Sequence, residues 1–376
     1  MRILHFYRTY YPDSYGGIEQ VIYQIASGSS ALGVETEVLS LTRDNSDRTV
    51  KVGNHLAHRT RLDFQIASTG FSLSAFIRFS QLAKRADIIH YHYPWPFMDM
   101  VHFATKVNKP TVVTYHSDII RQKFLLRAYQ PLMDCFLRSV DRIVATSPNY
   151  FQTSEVLNRF RDKTEVIPIG LDKASYPAPS ADTLEKWRQR VGEKFFLFVG
   201  MIRYYKGLHI LMDALQGTDY PVVIVGSGPM EAALKEQAKN LGLGNVHFLG
   251  ALPDDDKVAL LKLCYAVAFP SHVRSEAFGV SLLEGAMFGK PMISCEIGTG
   301  TSYINVNGET GIVVPPNDPT AFREAMCSLW DNPSLASDLG HRAEARYWEL
   351  FTADKMAASY VSLYQRLLSG PLGGEA

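Results

Sequence analysis

Cysteine is scarce and scattered. The four residues Cys135, Cys264, Cys295 and Cys327 form no Cys-x-x-Cys pair, which argues against a disulfide framework or a thiolate zinc site. They read as small hydrophobes of a reducing compartment. No run of about 18 apolar residues occurs, so no segment is expected to span a membrane. No apolar leader precedes Met1-Arg2-Ile3-Leu4-His5-Phe6, which reads directly into fold, and the expected location is the cytoplasm. Charge of one sign is missing as well: 38 Lys and Arg balance 38 Asp and Glu, without the basic excess of a nucleic-acid binder. Overall balance still permits local patches.

What the chain does contain is apolar residue in quantity, 46% of 376 positions, enough for more than one core. It falls into short runs separated by longer amphipathic stretches. In the first half these are Arg2–Phe6, Glu35–Leu41, Ile88–His92, Thr111–Tyr115, Arg142–Thr146 and Glu165–Pro168. In the second they are Phe195–Gly200, Pro221–Gly226, Val246–Leu249, Ala266–Pro270, Pro291–Cys295 and Gly311–Val314. Continuous Val/Ile/Leu/Phe runs are strands buried on both faces, and their alternation with helices implies parallel βαβ units. One sheet of about a dozen strands would be large, whereas two of about six fit two doubly wound α/β domains. The expected division is residues 1–172 and 184–352, with Asp172–Thr183 as linker. The final helical stretch, about Ala353–Leu368, could pack on either domain, and 353–376 is set apart as a segment returning to the first.

Ligands of open α/β sheets sit beyond the carboxyl ends of strands, so chemistry should follow these runs. After the first comes Tyr10-Tyr11-Pro12-Asp13-Ser14-Tyr15-Gly16-Gly17. A glycine pair opening a helix lets backbone amides approach an anion, although it is also an ordinary turn and does not fit Gly-x-Gly-x-x-Gly. His116, in Thr114-Tyr115-His116-Ser117-Asp118, could donate to a sugar hydroxyl or carry a proton, or be structural. His90 and His92 have a metal-like spacing, but no third ligand accompanies them in sequence, which favours a structural or lining role. Arg203 and Lys206 follow a strand end, where two cations would suit a diphosphate leaving group or be solvated surface charge. Gly226-Ser227-Gly228 is a weak phosphate-loop candidate. The strongest constellation is Pro270 to Ala286: a loop carboxylate at Glu276, free amides at a helix beginning near Gly279, and Glu284 about one turn in. Carboxylates bind paired sugar hydroxyls, and helix-start amides suit phosphate. Asp254-Asp255-Asp256 reads as an acidic helix start.

With these residues the chain resembles glycosyltransferase family 4, whose members have the GT-B fold of two Rossmann-like domains facing across a cleft. The signature is Glu-x7-Glu, here Glu276 to Glu284, within Ser275-Glu276-Ala277-Phe278-Gly279. Gly16-Gly17, His116, Ile167-Pro168-Ile169-Gly170-Leu171-Asp172, Lys206-Gly207 and Asn307-Gly308-Glu309-Thr310-Gly311 extend it over nearly the whole chain. The resemblance implies that Glu276 binds the donor sugar and Glu284 the nucleotide ribose, while Lys206 and a nearby arginine neutralise the diphosphate. It further implies His116 lining the sugar and acceptor site, the Gly16-Gly17 loop near the diphosphate, and backbone amides from Phe278, Gly279, Val280 and Ser281 on the leaving group. Where the family usually has arginine after the strand-end glycine, Met201 follows Gly200, and Arg203 is the candidate substitute. The implied reaction retains anomeric configuration and uses neither metal nor cofactor.

Phe6–Pro12 and Arg203–Gly207 look most like bacterial mannosyl- and D-rhamnosyltransferases of lipopolysaccharide O-chain assembly. This implies a GDP-mannose or GDP-rhamnose donor and a glycan acceptor on a polyprenyl diphosphate. Residues 121–139 interleave Arg121, Lys123, Arg127 and Arg138 with apolar side chains, which suits an anionic membrane surface or a half-buried helix interrupted by Pro131. Competing readings are another GT-B enzyme, such as a sugar-nucleotide epimerase or glycogen-type synthase, and a nucleotide-binding module without catalysis.

Overall fold

The computed structural model describes residues 1–44, 48–66, 69–119 and 123–370, apart from the side chains of residues 123–125. The chain forms two compact units, one of Met1–Gly170 with the segment from Ala353 onward, the other of Leu171–Thr352.

The strands of the first unit are β1 (Arg2–Phe6), β2 (Glu35–Thr42), β3 (Arg48–Val52), β4 (His55–Arg61), β5 (Phe64–Ile66), β6 (Thr69–Phe71), β7 (Ile88–Tyr93), β8 (Thr111–Tyr115), β9 (Arg142–Ala145) and β10 (Thr164–Val166). Eight of them form one sheet in the order β10-β9-β8-β7-β1-β2-β4-β3. All neighbours are parallel except the edge pair β3–β4. β5 and β6 make a separate antiparallel pair. The buried apolar runs of β1, β7 and β8 lie at the centre, where both faces are covered. The helix Ala353–Leu368 is pinned to this sheet by buried hydrogen bonds, Tyr364 to His90 at 2.7 Å and Tyr360 to Thr114 at 2.8 Å.

The second unit has β11 (Phe196–Val199), β12 (Val222–Val225), β13 (Val246–Gly250), β14 (Ala266–Phe269), β15 (Met292–Cys295) and β16 (Gly311–Val314). They form one parallel sheet in the order β13-β12-β11-β14-β15-β16. Its core joins Phe196, Phe198, Ile224 and Ile293 of the strands to Leu211, Phe322 and Met326 of flanking helices. Each such side chain, fully withdrawn from water, contributes about 1.5–3 kcal/mol.

Two expectations change. No strand is expected between residues 48 and 71, where the structure has β3 to β6. β4 lacks an apolar run because its polar side chains are buried with partners: His55 contacts the Tyr10 hydroxyl at 2.7 Å and Arg59 pairs with Asp13 at 2.6 Å. Such a strand is silent to hydrophobic periodicity. The stretch Asp172–Thr183, expected as a linker, belongs to the second unit. It holds a 3-10 turn at Lys173–Ser175 capped by Asp172, and Ser180 caps the helix Ala181–Val191.

Among the described residues, no helix is long and apolar enough to cross a membrane. Arg121 lies outside the described residues. In the helix Lys123–Ser139, Met133, Phe136 and Leu137 are buried in their own unit, while Arg127 and Arg138 are exposed.

Candidate active site

In the second unit β12 and β13 lie on one side of β11 and β14 on the other. The strand order therefore reverses between β11 and β14, and the crevice beyond their carboxyl ends is where such sheets take ligands. β11 leads into Gly200–Lys206 and β14 into Pro270–Glu276. The two loops are tied by the His272 N–H donating to the Tyr205 carbonyl at 3.1 Å. Gly207 has φ +70°, and a Cβ there would run into the Pro270 carbonyl, so only glycine lets the loops close.

This closure brings Lys206 and Glu276 together. Lys206 Nζ lies 2.5 Å from Glu276 Oε2, both residues are buried, and Ser271 donates to the same oxygen at 3.3 Å. Burial opposes the charge on Lys206, and the adjoining Glu276 carboxylate more than offsets it, holding the ammonium above the ordinary lysine range. Glu276 Oε1 has no partner among the described residues. Arg203 is exposed, with Nε 2.9 Å from Sδ of Met201. Its guanidinium thus stands beside the position that the resemblance would fill with arginine, and its positive charge acts on Lys206.

Gly279, at φ +95°, begins the helix Val280–Met287 without a side-chain cap. The first intrahelical bond runs from the Leu283 N–H to the Gly279 carbonyl, so the amides of Val280 and Ser281 have no carbonyl within the helix. Phe278 is buried just before this start. Glu284, one turn in, is also buried. Its Oε1 accepts from the Tyr176 hydroxyl at 2.9 Å and from Lys257 Nζ at 3.3 Å. Neither partner stands out in the sequence. Tyr176 lay in the supposed linker, and Lys257 follows the triple aspartate, which does open the helix Asp254–Leu263.

In the first unit the order reverses between β1 and β7. His116 follows β8, with its N–H bonded to the Tyr93 carbonyl at 3.0 Å. Its Nε2 lies 3.0 Å from His92 Nδ1, and His92 Nε2 lies 2.9 Å from His5 Nδ1. Burial alone pulls His116 down to about 3, and burial with a smaller contribution from His55 does the same for His5, so both rings are neutral at pH 7. The sequence offers His90 and His92 no third ligand at meaningful spacing, and the structure brings His5 beside them. His5 pairs in register with His90 across β1 and β7, and a nitrogen from each of the three lies within 4.8 Å of the others. A histidine at position 5 shows no spacing to His90, because strand adjacency is set by topology. His272 was missed too; both its ring nitrogens are buried without a partner among the described residues.

Gly16 and Gly17 open the helix Gly17–Ala31, but Gly16 has φ −128°, a conformation open to any residue. Its bare Cα makes room for the Glu19 carboxylate, which folds back and accepts from the Ser14 hydroxyl at 2.7 Å. The preceding loop is held by Asp13 on Arg59 and Tyr10 on His55, both partners coming from the unread strand β4.

Two Rossmann-like sheets, with charged and hydrogen-bonding residues beyond the carboxyl ends where strand order reverses, define the GT-B class. Residues 180–346 match the family described as "Glycosyl transferases group 1", and residues 15–175 match "Glycosyltransferase Family 4". The chain is 64% identical over 353 residues to the D-rhamnosyltransferase WbpZ of Pseudomonas aeruginosa, covering 94% of this chain and 93% of that protein. It is 52% identical over 368 residues to the O-antigen chain mannosyltransferase C of Escherichia coli, covering 98% and 99%. Among solved structures, the sucrose-phosphate synthase of Thermosynechococcus elongatus superposes with a TM-score of 0.80 at 21% identity, covering 98% of this chain and 99% of that one. The chain belongs to glycosyltransferase family 4, and its activity is glycosyl transfer.

Proposed function

We propose that this chain transfers a hexose, D-rhamnose or mannose, from a GDP-sugar to a lipid-linked glycan in O-antigen assembly, with retention of configuration. The observation that carries the chemistry is the buried Lys206–Glu276 pair where β11 and β14 diverge. The printed names of the relatives at 64% and 52% identity support the choice of sugar and pathway.

Positive charge is needed where the glycosidic bond breaks, because negative charge grows on the leaving diphosphate. Lys206, Arg203 and the uncapped amides of Val280 and Ser281 are suited to supply it. Glu276 offers acceptor oxygens to the sugar hydroxyls, and Glu284 to the ribose. As the bond between C1 and the diphosphate oxygen breaks, the acceptor oxygen attacks C1 from the same face. The acceptor's proton passes to the departing phosphate. No second carboxylate is required on the opposite face, unlike in a retaining glycosidase. Glu276 and Glu284, each held by a lysine, are assigned to binding. His116 presents Nδ1, its one ring nitrogen without a partner among the described residues, to the sugar or acceptor. With cations and amides serving the diphosphate, turnover should survive a chelator, and its loss would count against metal independence.

The acceptor is proposed to ride on a polyprenyl diphosphate. Contact of 121–139 with anionic lipid would rest on the exposed Arg127 and Arg138, since much of the apolar face is buried. Flotation with anionic vesicles at low salt tests this, and absence of binding overturns it. The donor is tested by a thermal-shift panel of GDP, UDP, ADP and their sugars, because a selective ligand raises apparent stability with its affinity. GDP compounds should give the largest shift; preference for UDP or ADP would overturn the donor assignment.

A further inference from the structure

His5, His92 and His116 form a head-to-tail chain: His5 Nδ1 to His92 Nε2 at 2.9 Å, then His92 Nδ1 to His116 Nε2 at 3.0 Å. The rings of His5 and His92 are stacked at 5.3 Å between centroids, and so are those of His92 and His116. All three residues are buried, with His116 the most exposed at 5%. At the inner end, His5 Nε2 is sealed from solvent without a partner among the described residues. At the outer end stands His116 Nδ1.

Proton counting constrains this arrangement. Each nitrogen-to-nitrogen contact holds one proton: two would clash, and none would oppose two lone pairs. Three neutral imidazoles carry three ring protons, of which the two contacts use two. Because both contacts join Nδ1 of one ring to Nε2 of the next, the third proton lies at one end or the other. All three rings are then Nδ1–H, with His116 donating outward, or all three are Nε2–H, with His116 accepting. A mixed set breaks a contact. His90 stacks on this chain, but its nitrogens are engaged by Thr114 and Tyr364, each at 2.7 Å, so it stands outside the proton count.

We infer that His5 and His92 are positioning residues that tie the tautomer of His116 to their own, so that its Nδ1 donates to or accepts from the substrates only as the three rings switch together. The inference rests on the proposed reading of His116 as the residue that faces sugar or acceptor. It explains why a strand end carries polar rings through the sheet centre. One imidazole at position 116 could take either tautomer, whereas three in series change together or not at all.

The test is nitrogen NMR of the full chain labelled with 15N-histidine, which distinguishes protonated from bare ring nitrogens. The three rings should share one tautomer at neutral pH. His92→Phe, which removes the partner of His116 Nε2, should release His116 into a tautomer mixture and lower kcat about tenfold, the effect of one hydrogen bond of about 1.4 kcal/mol. His92→Asn keeps a polar group near the Nδ1 position that faces His116 and should restore both signals. Different tautomers among the three rings, or unchanged His116 shifts in folded His92→Phe, would overturn the inference. So would uptake of Zn2+ that displaces the ring protons, since His5, His90 and His92 would then be a metal site. His116→Ala separates the two readings. If turnover is unchanged in that variant, the reading of His116 as substrate-facing fails, even with a shared tautomer. If turnover is lost while the three tautomers differ, only the inference fails.

Discussion

Lys206 Nζ and Glu276 Oε2 stand 2.5 Å apart in a site that buries both side chains. Removing one partner leaves the other as an uncompensated buried charge, at a cost of about 3–5 kcal/mol. Glu276→Ala and Lys206→Ala are each expected to lower stability on that scale and turnover by about 10²–10³. The double variant Lys206→Met, Glu276→Leu should recover much of the stability and none of the turnover. Urea titration and steady-state kinetics on the same preparations separate the two effects, and a stable single variant with normal turnover contradicts the assignment.

Arg203 lies against Met201. Arg203→Ala is expected to lower turnover by about two orders of magnitude, the scale of a lost transition-state donor. Met201→Arg in that background should restore part of it. Near-normal turnover in Arg203→Ala excludes the substitution.

Tyr176 donates to Glu284 from the segment between the first unit and the helix Ala181–Val191. Tyr176→Phe keeps the ring and loses one hydrogen bond, about 1 kcal/mol. Calorimetric titration with GDP should then show affinity about fivefold weaker, with kcat unchanged. A fall in kcat at unchanged affinity would place Tyr176 in a different role.

Burial holds His5 and His116 at about 3, far below an unfolded histidine near 6.5. Above 6.5 both states are neutral and these groups cost nothing. Between 6.5 and 3 the unfolded chain binds protons that the folded chain refuses, so stability falls with pH by about 1.4 kcal/mol per unit for each. Denaturant titrations at pH 7.5 and 5.5 should show this loss, reduced in His5→Phe. The kcat/KM profile should show no histidine break near 6.5 from His116; a break lost in His116→Ala would contradict its neutral state.

The sequence revealed what apolar periodicity and local spacing encode. All twelve runs became strands, and Glu276, Gly279 and Glu284 fell on a loop, a helix start and a helix as their spacing implied. It stayed silent where a polar side chain is buried with a distant partner. Arg59 and His55 hold the loop before Gly16 from a strand with no apolar run, and Lys257 reaches Glu284 from another helix. The histidine chain was invisible for the same reason: His5, His92 and His116 come from β1, from β7 and from just beyond β8, and only strand order makes them neighbours.

Proton NMR of the product made by the purified chain decides whether the chain transfers a hexose from a GDP-sugar with retention. With GDP-α-D-rhamnose or GDP-α-D-mannose and a lipid-linked glycan acceptor, the new linkage should be α, and it should be absent with Glu276→Ala. A β linkage would exclude retention, and transfer from UDP-sugars alone would exclude a GDP-sugar donor.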